Sequence, residues 1–183
     1  MMNVSFDDVK SLLDKLNEPE KSLCLKMLDV EKERFCSSPG SSYNHQIWPG
    51  GYIDHIAEVM KIAVSLYEPM KSIHSIEFTL HDALLVLFLH DVEKPFKYLD
   101  DMRFSNKAEK HLFRLKLLEK WNIKLNDYQM NALKYVEGEN EDYLEYKRVM
   151  NPLAAFCHVC DISSARIWFG EPKHLDENVL NKR

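Results

Sequence analysis

At 183 residues and 45% apolar content, the chain is long enough to bury a core and reads as one ordinary globular domain. Its net charge of −5 argues against a dedicated binder of long nucleic acids, which carries an excess of basic groups. Four cysteines at irregular spacing (Cys24, Cys36, Cys157, Cys160) do not read as a disulfide framework, and no leader pattern or membrane-length apolar run stands out. A soluble protein of a reducing cytoplasm is the expectation.

The pattern runs helix after helix with little alternation of period two, which predicts an all-α helical bundle. Ser5 is placed to cap a first helix carrying Val9, Leu12, Leu13 and Leu16, with Asp7 and Asp8 favourable in its first turn. A second helix is predicted over 19–35. The run Ser37-Ser38-Pro39-Gly40-Ser41-Ser42 and then Pro49-Gly50-Gly51 break the pattern and enclose an irregular loop holding His45 and Trp48. Helices follow over 52–67 and 75–89, with Pro95 closing the latter region. A polar helix spans 105–121 and another 127–136. After a loop over 137–142, a last helix spans 151–169 with Pro152 in its first turn.

One dipeptide stands apart. His90-Asp91 ends the apolar run Leu84-Leu85-Val86-Leu87-Phe88-Leu89, and imidazole nitrogen and carboxylate oxygen are both good ligands for borderline divalent cations. A second such pair, His81-Asp82, lies nine residues earlier, so on one helix it points the opposite way and reads as exposed surface near a helix start. His55 follows Pro49-Gly50-Gly51, where glycines leave space beside a helix start. Asp161 sits in an apolar stretch from Leu153 to Ala165, where an unpaired carboxylate would be costly. Cys157-His158-Val159-Cys160 lacks a second ligand pair and reads as soft side chains on a helix rather than a zinc site.

The order His55, His90-Asp91, Asp161 resembles the HD-domain superfamily of metal-dependent phosphohydrolases. The likeness extends to Arg34-Phe35 with the following Ser-Pro-Gly loop, to Trp48-Pro49-Gly50-Gly51-Tyr52-Ile53-Asp54-His55, and to Leu87-Phe88-Leu89-His90-Asp91-Val92-Glu93-Lys94. It ends in the segment from Asn151-Pro152-Leu153 to Asp161-Ile162-Ser163-Ser164-Ala165-Arg166. The resemblance implies N-terminal helices over 1–33 packing on a core over 34–169, with a polar tail over 170–183. It implies one divalent metal ion (Mn, Mg, Fe, Co or Ni) held by His55, His90, Asp91 and Asp161, with Asp91 essential to catalysis. Lys94 matches the family's phosphate-facing lysine.

The pattern departs from many relatives where a second metal is held by two further histidines. Those positions here are Lys107 and Val136, so a one-metal site is expected, with Lys107 either contacting a substrate phosphate or facing solvent. Glu93 reads as an acid/base group or a loop carboxylate. His45 reads as a proton donor to a leaving group or a plain loop histidine, and His158 as an orienting partner of Asp161 or a satisfied core histidine. From Arg103 to Lys124, seven basic side chains face Glu109 and Glu119, a local balance of +5 that leaves −10 elsewhere. Lys107, Lys110 and Arg114 share a helical face that suits a polyanionic small molecule, or is an ordinary solvated face.

The expected function is hydrolysis of a phosphate ester of a nucleotide or related small phosphorylated molecule. The alternative is a degenerate domain that binds a nucleotide without cleaving it. A homo-oligomer is compatible with the apolar N-terminal helices.

Overall fold

The computed structural model describes residues 4–168. They form α1 (Val4–Leu13), α2 (Glu20–Val30), α3 (Lys32–Ser37), α4 (Gly51–Ile73), α5 (Leu80–Leu89), α6 (Lys94–Leu99), α7 (Lys107–Lys120), α8 (Asp127–Tyr135) and α9 (Pro152–Ile167), with a 3₁₀ turn at Asn140–Asp142. The described residues contain no strand, and no described helix is long and apolar enough to cross a membrane. The expected tail over 170–183 lies outside the described residues.

The bundle is built around α5. Seven consecutive residues, Ala83 to Leu89, are buried, as a helix that is apolar all round must be. Its start is fixed by a capping box: Thr79 accepts from the Asp82 backbone N–H while the Asp82 carboxylate accepts from Thr79 N–H. The helix therefore begins at Leu80, five residues later than the periodicity predicts. Helices α4, α8 and α9 pack against it, and α4 also carries α1 and α9. Phe6, Val9, Leu12 and Leu13 of α1 belong to the same continuous core as α5.

Other boundaries shift for identifiable reasons. The segment 19–35 is two helices because Glu31 leaves helical geometry at φ −92° and ψ 15°, which turns Phe35 into the core while Val30 stays exposed. Helix α4 runs on through Pro69 to Ile73, beyond the predicted stop at 67. Pro95 does not close a region; it occupies the first turn of α6, where its missing N–H has no helical partner to lose. Ser5 lies inside α1 and does not precede it.

The loop between α3 and α4 is tightly folded. Gly40 N–H donates to Gln46 O at 2.8 Å and Tyr52 N–H to Ser38 O at 3.1 Å. Gly50 adopts φ +84°, and a Cβ on Gly51 would lie 1.9 Å from Gln46 O. This close approach brings the loop against the first turn of α4 and delivers His45 and Gln46 to the site.

Candidate metal centre

Three elements converge at the end of α5. His55 stands on the second turn of α4, His90 and Asp91 follow the last residue of α5, and Asp161 projects from α9. His55 Nε2 and His90 Nε2 lie 3.3 Å apart. Asp91 Oδ2 is 3.2 Å from His90 Nε2 and 3.5 Å from His55 Nε2. Asp161 Oδ1 is 3.2 Å from His55 Nε2 and 3.7 Å from His90 Nε2. Both imidazoles are fully buried, whereas the Asp161 side chain is 18% exposed, so it forms the solvent side of the cluster rather than lying enclosed.

Hydrogen bonds behind the rings decide which nitrogen faces inward. His90 Nδ1 donates to Leu87 O at 2.7 Å, which leaves a lone pair on Nε2. Ser164 Oγ gives its one hydrogen to Glu58 Oε2 at 2.8 Å and so accepts from His55 Nδ1 at 3.0 Å. Gln46 Nε2 completes this arrangement with bonds to Glu58 and Ser164. Two Nε2 lone pairs are thus aimed at one point flanked by two carboxylates.

That donor set repels itself unless a cation sits within it. Asp91 Oδ2 is buried, with the Lys94 ammonium and the His90 ring as its charged neighbours. Burial pushes the His90 pKa down, yet Asp91 and Asp161 overcome this and raise it to about 10, so that a proton takes the Nε2 position which a metal ion would have to displace. Burial raises Asp91, but His90 and Lys94 hold it well below the usual carboxylate range. Asp161 is likewise depressed by His55 and His90 against the effect of burial. The spot attracts positive charge strongly, and His55, His90 and Asp91 fit a divalent ion in ligand type and spacing.

Other residues named from sequence fall in different places. His81-Asp82 points away from the centre; it is a half-buried structural pair, with His81 Nδ1 accepting from Asn17 N–H and Asp82 serving the cap. His45 packs its ring 5.0 Å from that of His55 and bonds through Nδ1 to Gln46 Oε1. Lys94 is the first residue of α6. Lys107 lines a separate cavity of about 450 Å³ with His111, Leu112, Leu115 and Tyr135.

The expected cationic face of α7 does not form as such. Arg114 is buried and grips Glu93 through two bonds, at 2.8 and 3.1 Å, and Lys110 pairs with Glu137. Glu93 is a buried ion-pair partner, not a loop carboxylate in water. His158 bonds Val136 O at 2.7 Å, tying α9 to the end of α8. Cys157 and Cys160 are free and buried.

Sequence reasoning missed Gln46, Glu58 and Ser164. A signal existed: Glu58 and Ser164 each stand three residues after a predicted ligand, His55 and Asp161, and so share its helical face.

The fold and centre define an all-helical domain with a buried imidazole–carboxylate cluster able to hold a metal ion. The chain is 26% identical over 108 residues to a dihydroneopterin 2',3'-cyclic phosphate phosphodiesterase of Methanocaldococcus jannaschii. That match covers 58% of this chain and 43% of the relative, so the chain spans less than half the relative's length. No family model and no solved structure matches the chain.

Proposed function

We propose that this chain is a metal-dependent phosphohydrolase of the HD type, cleaving a phosphate ester of a nucleotide or related small phosphorylated molecule. The observation that carries this reading is the pair of inward Nε2 lone pairs, fixed by Leu87 O and Ser164 Oγ beside two carboxylates. The similarity to a cyclic-phosphate phosphodiesterase supports it and puts cyclic phosphodiesters first among substrates.

His55, His90, Asp91 and Asp161 would hold one divalent ion (Mn, Mg, Fe, Co or Ni). Such an ion supplies water of lowered pKa and neutralises charge on a phosphoryl oxygen. Lys94 keeps its proton because Asp91 holds the ammonium charged despite burial, so it can stabilise charge developing on the ester oxygens. Burial and the neighbouring His55 lower the His45 pKa, so at neutral pH its imidazole is suited to accept a proton before it returns one. Lys94, beside Asp91 at the cluster, and Lys107 would contact phosphate, whereas Arg114 is buried against Glu93 and Lys110 is held by Glu137.

The test combines each of the five metals with 2',3'-cyclic nucleotides, nucleoside monophosphates and nucleoside triphosphates, following product release. Metal-dependent turnover that disappears in Asp91→Ala is expected. Binding without turnover across the whole panel would instead establish a nucleotide-binding domain that does not cleave.

A further inference from the structure

Beside the histidine cluster lies a second group of potential ligands. One oxygen each from Asp91, Glu93 and Glu137 falls within 4.8 Å of the others. Three buried or half-buried carboxylates this close repel one another strongly unless positive charge is interposed. In this chain that charge is covalently attached. Arg114 reaches Glu93 through Nε at 2.8 Å and Nη2 at 3.1 Å, and Glu137 Oε1 through Nη2 at 3.4 Å. Its remaining nitrogen, Nη1, donates to Leu133 O at 3.2 Å, so the guanidinium is held from all sides. Lys110 Nζ contacts Glu137 Oε1 and lies 3.6 Å from Glu93 Oε1. Lys94 pairs with Asp91. Three carboxylates are thus met by three cations, in contrast to Asp161, whose ion-pair partners among the described residues are both imidazoles.

We propose that Arg114 and Lys110 form a built-in cation clamp that takes the place of a second divalent ion, closing the Asp91–Glu93–Glu137 group to metal and keeping the centre mononuclear. The inference rests on the single-metal reading above. It also assigns α7 a role: its basic residues at 110 and 114 act inward on the carboxylates and not outward on substrate. Removing either cation leaves the trio under-compensated, and a divalent ion is the natural replacement, since hard and borderline cations favour such oxygen donors.

Wild-type protein, Arg114→Met and Lys110→Met are dialysed to equilibrium against Mn²⁺, and bound ions per folded chain are counted, with folding checked by circular dichroism. One ion is expected for the wild type and two for each variant. Two ions on the wild type, or a folded variant that gains none, overturns the clamp. If Arg114→Met does not fold, Lys110→Met decides alone, because its side chain is 22% exposed and its loss is tolerable. The count separates the two readings. A wild type with no ion and a variant with one would sink the histidine-centred reading while upholding the clamp, whereas one ion on all three proteins does the reverse.

Discussion

Ser164 shows how one hydroxyl can set the chemistry of a centre it never enters. Its hydrogen goes to Glu58, which leaves the oxygen only as an acceptor and thereby assigns the proton of His55 to Nδ1. Replacing Ser164 with Ala removes the assignment without removing any of the four side chains proposed to hold metal. Metal affinity should fall by about 10–100-fold, the range for partners of this kind, as read by titration with Mn²⁺. Unchanged affinity would mean that the tautomer is set elsewhere. His90-Asp91 was legible in sequence because a charged pair ending an apolar helix needs a chemical reason. The Glu93–Arg114 pair was not, because the two lie 21 residues apart, Glu93 in the turn before α6 and Arg114 on α7, and nothing local to either announces the other. Read along α7 alone, Arg114 belongs to a basic stripe; only packing turns it inward.

Among the elements, the ends of α4 and α5 do most to place the side chains of the cluster. Gly51 admits the Gln46 carbonyl where any side chain would stand, so Gly51→Ala should displace the loop carrying His45 and Gln46. A loss of about 1–3 kcal/mol in urea unfolding is expected, the usual cost of overpacking. The other end of α5 is held by Thr79 and Asp82. Burial raises the Asp82 carboxyl, but hydrogen bonds from Thr79 and Gln129 prevail and hold it below its ordinary value of 3.8. Its contribution to stability is therefore present above that value and lost as pH falls through the lower, folded one. Asp82→Asn should be less stable than wild type at pH 7, with the gap narrowing as both are acidified; a gap independent of pH would refute the assignment. Most helices were legible because their apolar faces repeat at the helical period. The break at Glu31 and the short α6 were not, since neither changes that period enough to be seen against its neighbours.

For the whole molecule, the centre links segments distant in sequence: Ser164 and His55, 109 residues apart, are joined by a hydrogen bond. An ion held there would bind the folded chain and not the unfolded one. Stability should rise by about 2.7 kcal/mol when free metal reaches a hundred times its dissociation constant. Thermal unfolding with Mn²⁺ and with chelator reads this directly, and Asp161→Ala should flatten the response. An equal shift in that variant would place the ion elsewhere.

The position of Asp161 on α9 has a consequence in time as well as space. A growing chain presents His55, His90 and Asp91 while the segment that closes the cluster has yet to be made. Until α9 docks against α4 and α8, His55 lacks the Ser164 hydroxyl that assigns its proton. An ion held by all four side chains would therefore be acquired late in synthesis, as a reward for completed folding rather than a guide to it.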